Sequence, residues 1–108
     1  MELTVQIVRF VDGHQPGWVE CELIDAEECK HKFVDKVPIF SRKWLDAAGA
    51  YPTTGGAACE VMARWKDARG RELVRVTTAR PDGIESTEGR SEFVVLAAQL
   101  STCGPDNE

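Results

Sequence analysis

The chain has 108 residues, with 13 Lys or Arg against 18 Asp or Glu, a formal charge of -5 at pH 7, and 43% hydrophobic and 29% charged residues. This composition excludes disordered, collagenous and coiled-coil chains, and the length predicts one domain that buries roughly 60 to 70% of its unfolded surface. The longest purely apolar run, 93–98, falls far short of the ~20 residues a membrane span needs, and Glu2, Gln6 and Arg9 break any signal-peptide pattern at the amino terminus.

Alternating apolar residues predict a first strand from Leu3 to Val11, with Leu3, Val5, Ile7 and Val11 on one face. Asp12-Gly13 and Pro16-Gly17 mark a turn, because glycine accepts positive φ and proline presets the bend. A second strand, Trp18 to Asp25, turns Val19, Cys21 and Leu23 to the core and Trp18, Glu20, Glu22 and Ile24 away from it. The segment His31 to Phe40 returns as a hairpin arm. With Asp25 opposite His31, Glu20 meets Lys36, Val19 meets Val37 and Leu23 meets Phe33. Residues 42–48 form either a short helix, capped by Ser41 and stopped by Gly49, or a loop, and Tyr51 to Gly56 is irregular.

Strand character resumes over Cys59 to Lys66 and Glu72 to Ala79, a hairpin around the turn 67–70, with Cys59, Val61, Ala63 and Trp65 on its core face. A third hairpin joins Ile84 to Thr87 with Ser91 to Ala97, and the chain loses periodicity from Ser101. Six or seven short strands with at most one short helix predict an all-β barrel or sandwich, a single domain over 1–100 with a polar, flexible tail at 101–108. The element order is similar to that of an OB-type barrel with two strands added.

Cys21 and Cys59 sit where small buried hydrophobes belong, and Cys103 lies in the polar tail. Four cysteines without an extracellular context predict a reduced, cytoplasmic protein. No phosphate-binding loop, dinucleotide fingerprint or serine-hydrolase elbow is present. The nearest approach to a metal or thiol-nucleophile site is Cys29-Lys30-His31, with His14, Cys21 and Cys59 as remote partners. It lacks the paired C-x-x-C spacing by which one tight turn offers two thiolates, and it reads as a hairpin-end thiol beside a solvated histidine. Glu20 and Glu22 read as a solvated strand face, not as a general acid and base. No metal, cofactor or catalytic group is expected, and the protein is read as non-enzymatic.

Charge is unevenly spread. Residues 1–28 hold one base and seven acids, 29–44 hold five bases and one acid, and the remainder holds seven bases and ten acids. The acidic hairpin beside Trp18 suggests a surface for a basic protein partner, with the loop from Trp44 to Tyr51 adding aromatic contacts. Candidate partner-binding residues are therefore Trp18, Glu20, Glu22, Trp44 and Tyr51. The alternative is an OB-like nucleic-acid module using Arg64, Arg71 and Arg75, with Trp44, Tyr51 and Phe40 as stacking surfaces.

Overall fold

In the computed structural model, which describes residues 1–102, the first apolar alternation becomes a long strand, β1 (Glu2–Asp12), with Leu3, Val5 and Ile7 fully buried. Two irregularities in its pairing, between Ile7 and Arg9 and between Phe10 and Asp12, break the two-residue period, so Val11 ends up exposed instead of joining that face. β2 (Trp18–Ile24) pairs antiparallel with β1 and buries Val19, Cys21 and Leu23 as the alternation predicts. β3 (Lys30–Lys36) pairs with β2 in a register shifted one residue on each arm from that expected: Trp18 faces Lys36 and Glu22 faces Lys32. The turn causes the shift. The Asp25 carboxylate accepts the amides of Glu27 and Cys29, the Asp25 amide donates to the Cys29 carbonyl, and Glu28 takes φ 66°, so the ladder closes at Ile24 and Lys30. A shift that moves both arms by one keeps the same five-residue connection, and the β2 core face is unchanged.

The third strand stops at Lys36 because Pro38 has no amide to give the ladder. Val37–Phe40 instead forms one helical turn, α1, with proline in its first turn. The helix expected near 42–48 is absent. Asp46 organises a turn there: its side chain accepts the Ala48 amide, and its carbonyl accepts the Gly49 amide and the Tyr51 hydroxyl. Such local side-chain bonds compete with helical ones.

The segment expected to be irregular contains a strand, β4 (Thr53–Ala58), paired antiparallel with β1 from Glu2↔Ala58 to Ile7↔Thr53. Its glycines are there for space. A Cβ on Gly55 would lie 2.7 Å from both the Phe40 carbonyl oxygen and the Ile7 Cδ1 atom. After Cys59, whose amide donates to the Met1 carbonyl, the chain passes directly into β5 (Glu60–Lys66) of a second sheet.

That sheet has the order β5-β6-β7, with β6 at Glu72–Thr77 and β7 at Glu92–Leu96. The first has the order β3-β2-β1-β4, and β8 (Leu100–Ser101), reached through a 3-10 turn at Ala97–Gln99, pairs with Glu2 and Leu3 on the β2 side of β1. The third hairpin is corrected: β7 pairs with β6, and 84–87 is not a strand. Ile84 is apolar because it plugs the core, fully buried; its amide donates to the Thr78 carbonyl at 2.8 Å, and the Thr78 hydroxyl donates to the Ile84 carbonyl at 2.7 Å.

The two sheets share one core. Phe33 meets Phe93 edge-on at 5.6 Å between ring centres and Phe40 at 6.2 Å, and Val74, Val76 and Val95 close the cluster from the second sheet. The Ala26 amide donates to the Val94 carbonyl and the Thr87 amide to the Lys32 carbonyl, yet among the described residues no continuous ladder closes a barrel. The protein is all-β with one short helix. Ser101, expected in the tail, is paired with Glu2, while Cys103 and the tail after residue 102 lie outside the described residues. Among the described residues, no helix is long and apolar enough to cross a membrane.

Candidate interaction surface

Trp18, Glu20 and Glu22 share the outward face of β2, but their charges are answered within the chain. Glu20 is held by the Arg9 guanidinium at 2.9 Å, and Glu22 approaches the Lys30 ammonium at 3.5 Å. Lys36 stands over the Trp18 ring at 5.5 Å from its centre. Lys32 and Lys36 face this row across the ladder, so the face as assembled is not acidic. Trp44 is largely exposed, and Tyr51 is half-buried with its hydroxyl tied to Asp46. Among the described residues, no hydrogen bond, ion pair or ring contact joins either aromatic to Trp18, Glu20 or Glu22.

The basic stripe fares similarly. Arg71 is engaged by Asp67 at 2.8 Å and also donates to the Ala26 carbonyl, and Arg75 lies 3.9 Å from Glu92. Phe40 is buried and offers no stacking surface. Of the three arginines, Arg64 has no ion-pair partner among the described residues.

His31 is not solvated, contrary to its polar sequence context. Its side chain is 6% exposed, packed edge-on against Phe93 at 4.9 Å, with Nε2 2.8 Å from Asp25 Oδ2. Burial pushes the Asp25 carboxyl upward, but the His31 bond and the Cys29 and Glu27 amides outweigh it and hold the group below its ordinary value. Cys29 is exposed at the turn, and the described residues contain no group of three or more His, Cys, Asp or Glu suited to a metal ion.

A hollow of about 490 Å³ lies over the outward face of β1 and β4 beneath residues 38–43. Glu2, Thr4, Thr54 and Gly56 form its floor, and Arg42 bonds Glu2 at 3.2 Å. Arg42 and Glu2 thus answer each other, and Lys43 and Asp82 also line the hollow.

The surface that stands out is β5. Among the described strands at sheet edges, β3 is crossed by the Thr87 amide, β7 by the Ala26 amide, α1 packs against β4, and β8 is only two residues long. Among the described residues, no backbone hydrogen bond outside the β5–β6 ladder engages 60–66. The strand was expected to bury Val61, Ala63 and Trp65 beside Cys59. Instead Val61 is half-buried, Ala63 and Trp65 are exposed, and so is Met62. A bulge at Met62 is the reason: Val61 opposes Val76 but Ala63 opposes Arg75, so the faces exchange after one extra residue. A second hollow, about 320 Å³, opens at this end of the sheet, lined by Trp65, Leu73, Val74 and Ala97 together with the charged Arg64, Lys66 and Glu72.

Met62, Trp65 and Lys66 were therefore missed as surface residues, while Arg64 was read as part of a basic stripe with Arg71 and Arg75. The one legible signal was the bracketing of Trp65 by two cations. Comparison with protein-family models, curated proteins and solved structures finds no match for this chain.

Proposed function

We propose that the chain is a non-enzymatic protein-interaction domain that takes up an extended segment of a partner along the open edge of β5. The observation that carries this reading is an uncovered strand edge with Met62 and Trp65 47% and 38% exposed on it. Open edges present unpaired amides and carbonyls, which an added strand satisfies, while adjacent pockets select its side chains. Tryptophan is among the residues that most often dominate such contacts. The acidic hairpin supports partner binding less well, because Arg9 and Lys30 answer Glu20 and Glu22.

Affinity capture from a native lysate with the full chain and with a Met62→Lys, Trp65→Lys double variant tests the proposal. The reading expects proteins retained by the wild type to be lost by the folded variant, and bound partner to slow hydrogen exchange at residues 60–66. An unchanged set of captured proteins, or protection confined to β2 and its neighbours, would overturn it in favour of the acidic hairpin.

A further inference from the structure

Resting on the β5 reading, we infer that the segment taken up carries an acidic-apolar-acidic triplet. Beyond the bulge the register is regular: Ala63 opposes Arg75, Arg64 opposes Val74, Trp65 opposes Leu73 and Lys66 opposes Glu72. Side chains alternate between faces along a strand, and directly opposed residues share a face. Arg64 and Lys66 therefore project from one face of the edge, and Ala63 and Trp65 from the other. A strand added outside β5 sets two residues, i and i+2, opposite the two cations and the residue between them opposite Trp65.

Charge selects the chemistry of that strand. Arg64 and Lys66 are exposed, and neither takes part in an ion pair among the described residues, although Lys66 has Glu72 across the ladder. The β5–β6 hairpin, 60–77, holds five bases against three acids within a chain whose net charge is -5. Carboxylates at i and i+2 answer the cations, and an apolar residue between them packs on Trp65.

A second copy of this chain is a poor occupant. Antiparallel self-pairing about Arg64 sets that arginine opposite its own copy, and pairing about Trp65 sets Arg64 opposite Lys66. Pairing about Ala63 runs into the bulge, where Val61 and Trp65 project from opposite faces. The first two registers are repulsive and the third is mismatched.

The test titrates the full chain with blocked nonapeptides centred on Glu-Val-Glu, Gln-Val-Gln and Lys-Val-Lys, reading amide shifts at 60–66 and affinity at low and high salt. The expected result is binding of Glu-Val-Glu at β5, about tenfold weaker binding of Gln-Val-Gln, none of Lys-Val-Lys, and loss of the difference in high salt. The Arg64→Glu, Lys66→Glu variant should reverse the order. Equal affinity for all three peptides at 60–66 overturns the acidic triplet and leaves the edge reading standing. Failure of every peptide to move those amides overturns both. Dimerisation through 60–66 in sedimentation assigns the edge to a second copy and overturns the inference.

Discussion

The Asp25 carboxylate reaches the buried His31 ring at 2.8 Å through Oδ2, while its Oδ1 accepts the amides of Glu27 and Cys29 at 2.9 Å each. One side chain thus fixes the β2–β3 turn, sets the hairpin register and orients a ring that packs on Phe93 in the opposite sheet.

Replacing Asp25 with alanine removes three acceptor contacts and is expected to cost about 1–3 kcal/mol near neutral pH. The pH dependence follows from the lowered carboxyl value. A carboxylate favoured by the fold contributes stability above its unfolded pKa of about 3.9, and that contribution disappears as pH falls through the lower folded value. Denaturant melts of wild type and Asp25→Ala should therefore differ most near neutrality and converge in acid. A gap that is constant with pH would show that the carboxylate charge has no part in it.

Gly55 and Gly56 are neighbours in β4 with opposite expected outcomes. A Cβ at Gly55 meets the Phe40 backbone oxygen, which cannot yield without moving α1, so Gly55→Ala should cost about 1–3 kcal/mol. At Gly56 the nearest atom, 2.8 Å away, is the end of the Glu2 side chain, which can rotate aside. Gly56→Ala should be neutral, or stabilising by up to about 1 kcal/mol through a less flexible unfolded chain. Thermal melts of the two variants decide it.

The contrast between those glycines also shows where the sequence is readable. Alternation located β1 and β2 and, apart from Val11, their buried faces, because one side of each strand must leave water and the period of two is then forced by the pleat. β4 was hidden because its pattern is written in small residues: Thr53, Thr54, Gly55 and Gly56 look like a loop, and only the approach of Phe40 explains them. The face of β5 was misassigned by a bulge, a single unpaired residue that no periodicity announces. For the site, the individual charges of the amino-terminal hairpin were legible but their partners were not. Arg9 reaches Glu20 and Lys30 reaches Glu22 only once the register exists.

The cations of those pairs reach into solvent, although Glu20 and Glu22 are themselves partly shielded. The Arg9 side chain is 61% exposed, and solvent-screened ion pairs contribute roughly 0–1 kcal/mol. Glu20→Gln with Glu22→Gln should thus lower stability by less than about 2 kcal/mol in total and leave β5 capture unchanged. Loss of capture in a folded double variant would return the partner surface to the acidic hairpin.

The thiols should separate by burial. Burial pushes the Cys21 thiol up to about 12, with Glu20 and Asp35 adding to the effect, whereas Cys29 is exposed at the β2–β3 turn. Only the thiolate attacks a disulfide reagent. At pH 8 a thiol with a pKa near 12 is ionised to about one part in 10⁴, and its sulfur is also shielded from the reagent. Brief treatment of the native protein with an aromatic disulfide, followed by peptide mapping, should label Cys29 and leave Cys21 unmodified until denaturant opens the core. Rapid native labelling of Cys21 would mean that β2 leaves the core far more often than its complete burial implies.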